Sequence, residues 1–114
     1  MTNPPLTFES FLAVDIRVGR ILSAKFNPKA IKPAYHLVLD FGPELGQKES
    51  SAQLTVHYTA EELVGREVVA VVNFEPKRIA GVKSEVLVLG VPDAEGAVVL
   101  LQPTTAVPLG GRLF

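Results

Sequence analysis

The sequence predicts an all-β domain with short helices, a small five-stranded barrel whose third and fourth strands are separated by one short helix. Two segments alternate apolar and polar residues at the strand period, "AYHLVLDFG" (34–42) and "SAQLTVHY" (51–58). Two later segments, "REVVAVVNF" (66–74) and "SEVLVLG" (84–90), are nearly continuous apolar runs of strand length, as expected for strands buried on both sides or at an interface. Between these pairs, "TAEELVG" (59–65) places Thr59 and Glu62 at capping-box spacing and Gly65 where a helix ends.

The remaining elements fit around that frame. After the Pro4–Pro5 lead-in, Thr7 can cap a short helical turn through Ala13. The first strand, "DIRVGRILSAKF" (15–26), sets Ile16, Val18 and Leu22 on one face and Arg17, Gly19 and Ile21 on the other. Its alternation is imperfect, and Gly19 suggests a bend or a close backbone approach. The second strand puts Tyr35, Leu37, Leu39 and Phe41 together, and Gly42, Pro43 and Gly46 then make a turn. The third, over 51–58, points Ala52, Leu54, Val56 and Tyr58 inward. "AVVLLQP" (97–103) and "GGRLF" (110–114) add extended segments near the end. Three strands, a helix and two more strands is the order of an OB-fold, a partly open Greek-key barrel.

The totals narrow the function. A chain of 114 residues suits one domain spanning 1–114. With 11 Lys and Arg against 12 Asp and Glu, it is not a general nucleic-acid coat protein, so any nucleic-acid role must come from local segregation of charge. Segregation exists: residues 15–32 hold Arg17, Arg20, Lys25, Lys29 and Lys32 against Asp15 alone, while Glu61, Glu62 and Glu67 gather around Arg66. The absence of Cys excludes a disulfide frame and thiolate chemistry. No apolar stretch approaches membrane length and the start lacks a signal-peptide pattern, so a cytoplasmic protein is expected.

Catalysis finds no support in the pattern. His36 and His57 are the only histidines and fall on separate strands, without metal-ligand spacing. "GPELGQK" (42–48) is too short for a phosphate loop, and Ser84 lacks a nucleophile-elbow context. A non-enzymatic protein with no metal or cofactor is expected.

The basic cluster carries the binding chemistry. Pro76 stops a strand and Gly81 permits a tight turn, so Lys77, Arg78 and Lys83 sit on a connection from which long side chains reach outward. Arg78 offers a fork suited to phosphate, and the lysines supply point charges. Asn73 and Ser84 can add neutral hydrogen bonds to sugar or phosphate. The competing reading is a solvated hairpin in which Lys83 pairs with Glu85 or Lys77 with Glu75.

The residues themselves tip the balance. "DIRVGRI" (15–21) followed by "NFEPKRIAGVKSE" (73–85) resembles the tRNA-binding domain family, whose members also occur appended to some methionyl-tRNA synthetases and in endothelial monocyte-activating polypeptide. "HLVLDFG" (36–42), "SSAQLT" (50–55), "AVVNFEPKRIAGVKSEVLVLG" (70–90) and "VVLLQPTTAVPLGGRL" (98–113) are similar to the stand-alone CsaA type of this domain. The resemblance implies an OB-fold homodimer that binds tRNA and takes part in export as a chaperone of unfolded or preprotein chains alongside the Sec machinery. It also implies a dimer built partly by the termini, which suits the apolar tail "AVPLGGRLF". By the same resemblance the nucleic-acid-binding residues are Asn73, Lys77, Arg78, Lys83 and Ser84, with Ser51 and Gln53. Two positions depart from the general family: Ser84–Leu89 reads Ser-Glu-Val-Leu-Val-Leu in place of Ser-x-Gly-Met-Leu-Leu, and a Ser-Gly step becomes Ser51–Ala52. Both changes occur in the CsaA type.

Two ligand classes compete on this scaffold. RNA binding by charge needs the basic corner of both subunits, which gains by avidity across a dimer. With no Trp, and with Tyr35, Tyr58, Phe41 and Phe74 reading as core rather than as a stacking platform, backbone and shape recognition should outweigh base stacking. Peptide binding needs an exposed apolar groove or strand edge, at the dimer seam or the barrel mouth near Phe74.

Overall fold

The computed structural model describes residues 2–114. Twelve elements follow in order: α1 Phe8–Leu12, β1 Ile16–Phe26, β2 Tyr35–Asp40, α2 Gly42–Leu45, β3 Gln47–Ala52, α3 Ala60–Leu63, β4 Glu67–Val71, β5 Lys77–Ile79, β6 Val82–Ser84, β7 Leu87–Val88, β8 Gly90–Pro92 and β9 Val98–Leu100. Five strands form an antiparallel sheet in the order β3-β2-β1-β4-β7, while β5–β6 and β8–β9 are separate two-stranded ribbons. The sheet curls so that β3 nears the segment before β7. There Glu85 N–H donates to Glu49 C=O (2.8 Å) and Ser50 Oγ to Val86 C=O (2.7 Å). The result is a nearly closed five-stranded barrel, the OB-fold that the strand order predicts.

Ile21, Leu37, Leu39, Phe41, Leu63 and Val68 are fully buried inside it. Burying each such Ile, Leu or Phe contributes about 1.5–3 kcal/mol. The uneven alternation of β1 has a local cause. A bulge between Ile21 and Ser23 in the pairing with β2 lets Gly19 and Ile21 face the core, and Ala24 face it again beyond the irregularity. Gly19 is required by a close approach, because a Cβ there would lie 2.6 Å from a Phe41 ring carbon.

Other elements match or depart from expectation for identifiable reasons. Thr59 caps α3 in a full capping box with Glu62, whose carboxyl is held below the usual carboxylate range by the Thr59 N–H and hydroxyl. Thr7 caps α1. The 42–46 turn includes a one-turn helix. The third strand is not 51–58 but 47–52. Its inward positions Lys48, Ser50 and Ala52 lie opposite Leu39, Leu37 and Tyr35, and 53–58 is a turn that buries Leu54 and leaves Val56 75% exposed. The fifth strand breaks in two at Leu89. β7 continues the barrel beside β4, Gly90 begins the ribbon with β9, and Leu87 is half exposed rather than buried.

The C-terminal segment extends the sheet. β4 covers Ile16–Arg20 along one edge of β1, and residues 110–113 run along its other edge, where β2 has not yet begun. Val18 N–H donates to Gly111 C=O (3.0 Å), Gly110 N–H to Val18 C=O (2.8 Å) and Leu113 N–H to Ile16 C=O (2.9 Å). Arg17 locks this seam: its guanidinium donates to Asp15 (2.6 Å) and to Gly110 C=O (3.0 Å), and the Asp15 bond raises its pKa. Among the described residues no helix is long and apolar enough to cross a membrane.

Candidate nucleic-acid interface

The connection predicted over Lys77–Ser84 is a β-ribbon. Ile79 pairs with Val82 across a two-residue turn, and Ala80 (φ 50°) and Gly81 (φ 84°) both have positive φ, as a tight hairpin turn demands. Lys77 lies opposite Ser84 and Arg78 opposite Lys83. Because strand side chains alternate, this register divides the basic cluster between the ribbon's two faces. Lys77 and Ser84 share a face with Ile79 and the buried Val82, while Arg78 and Lys83 share the other.

The inner face looks onto two grooves that meet at Ser51 and Ile79. One, of about 590 Å³, lies between the ribbon turn and the β1–β2 loop, with Lys29, Ile31 and Lys32 on its wall and Ser51 and Gln53 on its floor. The other, of about 440 Å³, carries Lys77, Ser84, Glu75 and Glu85 beside the exposed Leu87 and Phe74. Phe74 is not in the core as its sequence suggests, because the chain has left β4 before reaching it. A buried Asn27 fixes the two walls: its amide donates to Ala80 C=O in the ribbon turn (3.1 Å) and its oxygen accepts the Lys29 N–H (3.1 Å). The Lys29 ammonium thereby lies beside Gly81, 3.7 Å from where a Cβ would stand.

Charge pairing separates structural cations from available ones. Arg17, Arg20, Lys48 and Arg112 have carboxylate partners, and Arg66 stacks 5.0 Å above Tyr58 while donating to Gln102. Among the described residues, Lys25 on β1 and Lys29, Lys32, Lys77, Arg78 and Lys83 form no ion pair, so neither pairing of the solvated-hairpin reading occurs. Glu85 faces Lys48 instead, at 3.9 Å. Arg78 makes one bond, to Gly81 C=O in its own turn (3.3 Å). Like charges directly opposite on a ladder are destabilising, so Arg78 facing Lys83 costs stability until an anion lies over them.

Asn73 occupies a different place from the other candidates. Its oxygen accepts the Asp15 N–H (3.0 Å) and its amide donates to Ala13 C=O (2.8 Å), so both ends of the side chain tie the start of β1 to the end of β4. Lys29 and Lys32 are the reverse case. They stand out in the sequence only as part of a basic run, and the fold of the β1–β2 loop brings them to the groove. Both histidines are engaged with carboxylates, His36 with Glu49 and His57 with Asp93, each at 2.7 Å.

Known proteins share this fold. A family model described as "Putative tRNA binding domain" matches residues 16–112. The chain is 35% identical over 108 residues to a methionine–tRNA ligase of Porphyromonas gingivalis, a match covering 95% of this chain and 15% of the ligase. It thus spans only a small part of the curated relatives it matches. The structure of chaperone CsaA from Bacillus anthracis str. Ames is similar at 52% identity and a TM-score of 0.86, covering 97% of this chain and 100% of that one. A CsaA chaperone protein from Picrophilus torridus is similar at 45% identity and a TM-score of 0.89, with 96% and 100% covered. The chain belongs to the tRNA-binding domain family and is similar across nearly its whole length to CsaA structures.

Proposed function

We propose that this protein is a non-catalytic module that binds tRNA by its backbone, through the β5–β6 ribbon and the groove beside it. One observation carries the reading: five cations without carboxylate partners gather on one ribbon and the loop tied to it, in a chain of net charge −1. Ser51, Gln53 and Ser84 supply neutral hydrogen-bonding groups along the groove, and Asn73 acts from behind by holding the neighbouring strands. The whole chain works as one domain and pairs as a homodimer. Support for the dimer comes from the termini: α1 buries none of its residues, Phe8 is 70% exposed, and Phe114 is fully exposed beside the C-terminal seam. Two copies would then engage one tRNA with the gain of avidity.

A second reading, a chaperone for unfolded or preprotein chains, rests on the smaller groove, where Phe74, Ile79 and Leu87 expose apolar surface. The two readings separate in one experiment. Binding of labelled tRNA and of a labelled unfolded polypeptide is titrated against the wild type, Lys77→Ala/Arg78→Ala/Lys83→Ala and Phe74→Ser/Leu87→Ser. The RNA reading expects the basic variant to lose tRNA affinity at least tenfold, roughly the cost of two or more phosphate contacts. Polypeptide binding without tRNA binding at moderate salt would put the chaperone reading first.

A further inference from the structure

We infer that the β5–β6 ribbon is a two-sided wedge that engages two separate backbone segments of a folded RNA, and so prefers a folded molecule to a single strand. This deepens the tRNA-binding reading and rests on it. The register dictates the division: Lys77 and Ser84 face the grooves, while Arg78 and Lys83 leave from the opposite face of the ribbon. On the groove side Lys77 is joined by Lys29 and Lys32, so a strand lying over the Ser51–Gln53 floor meets three cations, with the Glu75 and Glu85 carboxylates lining only the smaller groove.

The far side is a second site of the same chemistry. Arg78 and Lys83 are exposed, directly opposite each other and without a carboxylate, and they line neither groove. An Arg–Lys cross-strand pair is unfavourable alone and favourable under a phosphate. Asn27 ties the ribbon turn to the β1–β2 loop, since its buried amide donates to the Ala80 carbonyl, and so favours one orientation of the two faces. Layers packed on both faces of a β-ribbon are about 20 Å apart, twice the usual face-to-face spacing. The RNA that fits therefore carries two backbone runs at about that separation, as where two helices or a helix and a strand converge. An isolated single strand satisfies only the groove side.

The test compares two probes, a labelled tRNA transcript and a labelled oligouridylate of about ten nucleotides, near the site size of one OB-fold. Each is titrated against the wild type, Arg78→Ala/Lys83→Ala and Lys29→Ala/Lys32→Ala at equal protomer concentration, with melting curves confirming the fold. Loss of the two outer contacts should weaken tRNA binding by about 10–30-fold near 0.15 M salt and flatten its log–log salt slope by about two. Oligouridylate binding should weaken by less than about threefold, since that strand leaves the outer face uncovered. Loss of Lys29 and Lys32 should weaken both probes by similar factors, and Arg78→Lys/Lys83→Arg should restore tRNA affinity. Equal losses on both probes with the outer variant, or no loss on either, would overturn the wedge while leaving tRNA binding intact. Absence of tRNA binding by the wild type would instead defeat the reading beneath it, and the wedge with it.

Discussion

Replacing Gly110 with Ala should cost far more than a glycine at a positive φ ordinarily does. Gly110 has φ 86°, and a Cβ there would stand 2.6 Å from the Phe41 carbonyl oxygen. The conformation alone costs a non-glycine residue about 1–2 kcal/mol. The clash adds about 1–3 kcal/mol of overpacking, because its target is backbone beside a fully buried ring and cannot swing away. The total, about 2–5 kcal/mol, is a large share of the roughly 6–17 kcal/mol expected for a chain this long. At about 4 °C per kcal/mol the melting temperature should fall by about 8–20 °C. Gly96→Ala is the control: its φ is 89°, but nothing lies within 4 Å of the added methyl, so about 4–8 °C is expected. Both are read by circular dichroism at one protomer concentration, because association shifts the midpoint. Equal shifts for the two variants would refute the view that the tail is seated by close contact with Phe41–Gly42.

Further outcomes follow from the same seams. Ser50→Ala should destabilise by about 1–3 kcal/mol, since it strands a buried carbonyl at Val86 where β3 closes the barrel, and urea unfolding measures it. Asn73→Ala should lower the melting temperature while leaving the salt slope of tRNA binding unchanged, because its bonds join Ala13 and Asp15. Removal of Lys29 and Lys32 should weaken tRNA binding with no change in melting temperature beyond about 2 °C, as exposed charges without partners contribute little to stability. The Asp93 carboxyl is held below its usual range by His57 and by the N–H groups of Ala97 and Glu95. A depressed carboxylate stabilises the fold above its unfolded pKa, near 3.9, and loses that contribution as pH falls through its lower folded value. Asp93→Ala should therefore melt below the wild type at pH 7, and the gap should close progressively below about pH 4.

Legibility in the sequence tracked the range of the interaction. The α3 helix could be read because its capping box is complete within four residues, and β2 because its large residues alternate without interruption. The third strand falls outside the alternating segment because its own residues, "QKESSA", are polar: Ser50 lies opposite Leu37 on the adjacent strand, a pairing thirteen residues apart that leaves no local trace. "LTVHY" continued the alternation of a strand, yet Leu54 alone is buried from it. The basic cluster was visible at Lys77, Arg78 and Lys83, but its division between two faces depends on the Ile79–Val82 register, set by a two-residue turn. Lys29 and Lys32 reach the groove through the β1–β2 loop, which Asn27 ties to Ala80, 53 residues away in the sequence.

If unpaired cations of the ribbon hold RNA phosphate, tRNA binding must weaken with salt in proportion to the contacts they make. Wild type and Lys77→Ala/Arg78→Ala/Lys83→Ala are titrated with one labelled tRNA across a series of salt concentrations. Loss of three phosphate contacts should weaken binding and make the log–log slope shallower by about three per subunit engaged. An unchanged affinity and slope would contradict the account by removing the ribbon from the RNA interface.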